Sequence, residues 1–139
     1  MRLVLPCRPQ YLHIVRRTVR EFAALAGMTD ADADKVVSAV DEACANVIRH
    51  AYGGPTRKPL AIECTNRADG MEIRLRDFGR RTDPGRLRPG AARKRPAGGL
   101  GLVIIYEAMD DVRYSSRPEG MELTMFKSYT SRRSPGNGA

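Results

Sequence analysis

Tryptophan is absent from these 139 residues, and other aromatics are few: three Phe and five Tyr. A core must therefore close by aliphatic packing, and 42% apolar residues suffice for that in a single domain. The same content is too high for a chain that stays disordered. Long apolar runs are also missing. The stretch 102–105, extended only by Tyr106, is too short to span a bilayer. Pro6 interrupts the N-terminus too early for the apolar region of a signal peptide, so a cytoplasmic protein is the expectation. Cysteine is scarce: Cys7, Cys44 and Cys64 make an odd number without a Cys-x-x-Cys pair, and neither His stands at zinc-ligand spacing. Each thiol reads as a small, buried or half-buried hydrophobe in a reducing compartment.

What the chain has in excess is positive charge, +8 from 24 Lys and Arg against 16 Asp and Glu. Its location limits what it means. Residues 76–96 hold Arg76, Arg80, Arg81, Arg86, Arg88, Arg93, Lys94 and Arg95 against Asp77 and Asp83. The end of the chain adds Lys127, Arg132 and Arg133, and the remainder is close to neutral. Only Phe78 is interleaved with the basic loop, where nucleic-acid binders use aromatics to stack bases. A solvated loop, or a cationic lid over a polyanionic ligand, fits better than a nucleic-acid surface, and direct nucleic-acid binding is not expected.

Hydrophobic periodicity predicts a helix over residues 9–26, with Leu12, Val15, Val19, Phe22, Leu25 and Ala26 on one stripe. Thr29 or Asp30 caps a second helix running to about Ala51, and Gly53-Gly54-Pro55 stops it. Strands are expected at 60–65, 71–76, 112–115 and 121–127, and a third helix over 100–109. Residues 78–97 read as a long loop, a length more usual for binding loops than for connectors. The order β-α-α-β-β-loop-α-β-β implies an α+β fold: a two-layer α/β sandwich, its mixed and mostly antiparallel sheet covered by helices on one face. One domain is expected over 1–128, with a lid at about 80–97 and a disordered tail at 129–139.

Three patterns carry chemistry. On the second helix Glu42, Asn46 and His50 recur every four residues, forming a polar ridge along an apolar face of Val36, Val40, Val47 and Ala51. A carboxamide oxygen suits Mg²⁺, and a carboxylate one turn away can take a hydroxyl proton; solvated surface residues give the same spacing. His50, near the helix end, reads as a dipole contact rather than a catalyst. Arg76-Asp77-Phe78-Gly79 follows a strand, and such an Asp can face a pocket as acceptor for an exocyclic amine, or simply start a turn. Gly98-Gly99-Leu100-Gly101-Leu102 opens a helix, where backbone N–H groups can meet an anion or where small residues pack tightly. It is neither a Walker A loop nor a complete dinucleotide fingerprint.

In combination, Glu42-x-x-x-Asn46-x-x-x-His50-Ala51, then Asp77-x-Gly79, a loop, and Gly99-x-Gly101 closely resemble the GHKL (Bergerat) ATP-binding fold of histidine kinases, gyrase B and MutL. The stretches 41–52 and 98–105, with Met109-Asp110-Asp111-Val112, resemble its RsbW/SpoIIAB branch of anti-sigma factors that are also serine kinases. The likeness runs from Leu3 to Lys127. It implies that Asn46 ligates Mg²⁺ at the phosphates and that Glu42 is the catalytic base. Asp77 would receive the adenine amine, with Gly79 allowing the base to approach. Gly99, Leu100 and Gly101 would line the phosphates, with Arg93, Lys94 and Arg95 of the lid to neutralise them. ATP and Mg²⁺ are the implied cofactors, and a sigma factor and a STAS-type anti-anti-sigma protein the implied partners, with the chain a homodimer. A non-catalytic nucleotide-binding module that regulates a different protein is the alternative. Two positions depart from the family pattern: Met121 follows Gly120 where Thr is usual, and Arg81 stands where Gly is frequent.

Overall fold

The computed structural model describes residues 1–89 and 100–129. Strand β1 (Arg2–Pro6) leads into helices α1 (Pro9–Leu25) and α2 (Asp30–Asn46), the latter continued by a single π-helical turn, Val47–Ala51. Strands β2 (Pro59–Asn66) and β3 (Gly70–Arg76) follow, then a 3-10 turn at Pro84–Arg86. Helix α3 (Leu100–Ala108) and strands β4 (Asp111–Ser116) and β5 (Met121–Ser128) complete the order. The five strands lie in the order β1-β2-β3-β5-β4, and every pairing is antiparallel, where a mixed sheet was expected.

Period-two alternation decides which face of the sheet is covered. Leu60, Ile62 and Cys64 of β2, Met71, Ile73 and Leu75 of β3, and Leu123 and Met125 of β5 are all buried. The helices pack on that face, contributing Val15, Val19, Val36, Val40, Cys44 and Ile105 to one continuous core. Intervening residues such as Glu63 and Arg74 stay exposed, as an antiparallel sheet with one wet face permits. Lys127 falls on the covered face by the same alternation; its buried side chain reaches Asp110 at 3.9 Å. Cys7, Cys44 and Cys64 are free and buried, and burial pushes the Cys7 and Cys64 thiols up to about 11.

Local signals explain the helix ends. Pro9 occupies the first turn of α1, where a missing N–H costs nothing. Gly27, at φ 77°, ends it with a left-handed residue. Thr29 caps α2 by accepting from the Asp32 N–H at 3.2 Å, with Asp30 and Asp32 facing the positive end of the helix dipole. Two expectations need correction. Leu25 is 84% exposed, because Ala23 and Ala26, four and seven residues after Val19, take the inward positions. The second helix does not stay α-helical to Ala51: its last turn widens so that the Tyr52 N–H donates to the Val47 carbonyl at 3.0 Å.

Candidate functional site

Two strand ends and the π turn meet at one end of the sheet. The Asp77 N–H, just past β3, donates to the Met121 carbonyl at 3.1 Å, so the ends of β3 and β5 stay locked together. The Asp77 side chain is 3% exposed, and its Oδ1 accepts from the Gly79 N–H at 3.0 Å. Burial raises the Asp77 carboxyl above its ordinary value, opposed by the amides of Gly79 and Met121 and by the Arg76 guanidinium. Phe78 N–H donates to Tyr52 Oη at 2.9 Å, and that hydroxyl donates to the Pro59 carbonyl at 2.8 Å. Arg80 N–H reaches the Ala51 carbonyl at 2.7 Å. The turn after β3 is thereby stitched to the π turn after α2.

Glycines permit this closeness. A Cβ on Gly79 would overlap the Ala51 carbonyl and stand 2.9 Å from the Tyr52 ring, so backbone packing already demands Gly there. A Cβ on Gly120 would overlap the Asp77 carbonyl and stand 2.7 Å from its Oδ1, and Gly120 has φ +73° besides. A Cβ on Gly101 would stand 2.8 Å from Glu42 Oε2 and 3.6 Å from both terminal atoms of Asn46. Gly101 thus brings the start of α3 directly against the polar ridge of α2.

A cleft of about 460 Å³, open mouth included, lies at this junction. Its lining joins Asn46, His50, Asp77, Arg80 and Thr82 to the apolar Val47, Ala51, Leu87 and Met121 and the ring of Tyr114. Asn46 and Asp77, 31 positions apart in the chain, therefore share one cavity. Asn46 Oδ1 accepts from Arg49 Nη2 at 2.9 Å. Exposed His50 is held below its ordinary pKa by partial burial and by Arg49. Glu42 sits one turn back along α2, beside Gly101 and outside the cleft lining. Gly101 lies in the first turn of α3, where backbone N–H groups have no intrahelical acceptor. Leu100, the first residue of α3, is 80% exposed. Arg93, Lys94, Arg95 and Gly99 lie outside the described residues, as does the part of the expected lid from residue 90 to 97. Its described part is tethered: Tyr106 Oη donates to the Leu87 carbonyl at 2.8 Å, and Asp83 caps the 3-10 turn through the Gly85 N–H.

Sequence reasoning missed Tyr52, Thr82, Leu87 and Tyr114. None belongs to a spacing pattern; each reaches the site through tertiary packing. Met121, noted only as a departure, lines the cleft, with its sulfur 3.7 Å from Ser116 Oγ.

A one-faced antiparallel sheet with a helix-bordered cleft at the ends of its strands, holding a buried Asp and a helical Asn, places the molecule in a known class. The chain belongs to the histidine kinase-like ATPase domain family, which it matches over residues 5–127. Within that class it is 30% identical over 131 residues to a serine-protein kinase RsbW of Bacillus velezensis, covering 88% of this chain and 81% of the relative. It is 31% identical over 133 residues to a serine-protein kinase RsbW of Listeria monocytogenes, covering 90% and 84%. A solved structure of the RsbU and RsbW domains of a Mycobacterium tuberculosis protein shares the fold, with a TM-score of 0.69 at 18% identity. That match spans 95% of this chain and 33% of the other.

Proposed function

We propose that the chain is an ATP-dependent serine-protein kinase and anti-sigma factor. In one state it binds a sigma factor; in the other it phosphorylates a serine of a STAS-type anti-anti-sigma partner. The observation that carries this reading is the shared cleft of Asp77 and Asn46, a buried carboxylate and a carboxamide within largely apolar walls. The names of its relatives, serine-protein kinases at about this length, support the same reaction.

In this reading Asp77 accepts the adenine amine, while Val47, Ala51, Leu87 and Met121 surround the base. The residues present suit Mg²⁺: Asn46 Oδ1 already faces a cationic group, Arg49, and offers one neutral oxygen. That is enough for an ion that keeps several waters and takes phosphate oxygens for the rest. When bound, the metal neutralises phosphate charge, the main demand of phosphoryl transfer. Glu42 takes the proton of the serine hydroxyl as that oxygen bonds to the γ-phosphorus and ADP leaves. The Gly101 N–H is available to a phosphate oxygen, and Gly99, Leu100, Arg93, Lys94 and Arg95 are assigned to the same anion. A homodimer is part of the proposal.

The test is incubation with Mg·ATP and an anti-anti-sigma protein, with phosphoserine read by mass spectrometry. The wild type should transfer phosphate. Glu42→Ala should bind nucleotide without transfer, and Asn46→Ala should lose metal-dependent binding. Transfer retained in Glu42→Ala overturns the base assignment. Binding without transfer in the wild type favours a non-catalytic nucleotide-binding module that regulates a protein other than a sigma factor.

A further inference from the structure

Asp77 and Arg76 are successive residues at the end of β3, so their side chains leave the sheet on opposite faces. Asp77 enters the cleft; Arg76 is absent from its lining. Arg76 nevertheless points back to the same peptide. Its Nη1 donates to the Asp77 carbonyl and, at 3.4 Å, to the Met121 carbonyl. The Met121 carbonyl also accepts from the Asp77 N–H. The guanidinium lies 4.3 Å from the centroid of the Phe78 ring, which gives its plane a platform. Arg76 forms no ion pair among the described residues: its donors go to two carbonyls at a strand end. Gly120 packs against the same peptide, with its α-carbon so near the Asp77 carbonyl that no side chain fits.

We propose that Arg76 is a positioning residue for adenine recognition, clamping the Asp77 peptide with its guanidinium so that the carboxylate meets the exocyclic amine. The inference rests on the ATP reading above and assigns a determinant of base selectivity that touches no ligand. Without the clamp, the Asp77 carbonyl loses its side-chain donor, and the tilt of its peptide rests on the Asp77 N–H to Met121 and Phe78 N–H to Tyr52 contacts alone. A mis-aimed acceptor loses a directional hydrogen bond while leaving the apolar walls of the cleft intact. Arg76 also supplies positive charge that favours the ionised acceptor against burial. Lysine reproduces the charge but not the planar fork or the stacking.

The experiment is calorimetric titration with two ligands: Mg·ATP and Mg·purine riboside triphosphate, which lacks only the 6-amino group. Wild type, Arg76→Gln, Arg76→Lys and Phe78→Leu are compared. Wild type should prefer ATP. Arg76→Gln should weaken ATP about tenfold, the order of one charge-assisted hydrogen bond, and leave the purine analogue within about twofold. Arg76→Lys should recover part of the preference. Phe78→Leu, which keeps both donors, should shift it in the same direction by less, and it serves if Arg76→Gln folds poorly. Equal weakening of both nucleotides would mean a purely structural role and overturns the inference, as does an unchanged preference. Wild type that binds neither nucleotide overturns the ATP reading and the inference together.

Discussion

The Asp77 carboxylate is costly to keep where it is: burial pushes its pKa up, and the Gly79 and Met121 amides and Arg76 offset this only in part. A carboxyl whose native pKa lies above its unfolded value of about 3.9 stabilises fully below that value and less as pH rises through the native pKa. Asp77→Asn should therefore raise the unfolding midpoint at pH 7, with the gain shrinking as pH falls toward 4, in thermal scans across pH. A loss of stability at pH 7 contradicts this. At Gly120, both φ +73° and the overlap with the Asp77 carbonyl oppose any side chain. Gly120→Ala should cost more than about 1 kcal/mol in urea unfolding. Spacing made Glu42, Asn46 and Asp77 legible as candidates. Arg76 and Gly120 stood in the motifs without a role of their own, because the Arg76–Met121 and Gly120–Asp77 contacts join strand ends more than 40 positions apart.

Between elements, the junction of α2 and α3 places the candidate base. With a Cβ at Gly101 standing 2.8 Å from Glu42 Oε2, Gly101→Ala should displace that carboxylate and leave the adenine end of the cleft untouched. Phosphoserine formation should fall at least about tenfold, the lower range for a misplaced general base, while ATP affinity changes much less. Equal loss of both would show that the start of α3 holds the nucleotide rather than the base. The π turn shows where sequence reading stopped. Its Val47-to-Tyr52 hydrogen bond obeys a five-residue step that leaves no trace in the apolar pattern, so an α-helix to Ala51 was the natural expectation. Yet this turn carries the Ala51 carbonyl to the Arg80 N–H and brings Tyr52 under Phe78. The strands were legible because Ile62, Cys64, Met71, Ile73, Leu123 and Met125 alternate with polar residues. Lys127 obeys the same alternation while carrying a charge, which the pattern alone does not explain.

At the scale of the whole molecule, one aliphatic core does the work that aromatics do elsewhere. Ile73, fully buried at the centre of the sheet, should cost about 2–5 kcal/mol when cut to Ala, read as a lowered urea midpoint with an unchanged slope. The three buried thiols should react with a disulfide reagent only as the chain unfolds; fast labelling of native protein would mean that the core opens locally. The order of elements was readable because each carries its own periodicity and punctuation, whereas the cleft forms only when Asn46, Asp77 and Met121 converge across the fold. This convergence is the proposed Mg·ATP site. Calorimetric titration of Mg·ATP into the wild type, with Asp77→Asn as control, tests it most directly. Saturable one-site binding that the variant loses while remaining folded is the expected result. No heat at millimolar nucleotide, or equal binding by the variant, would contradict it.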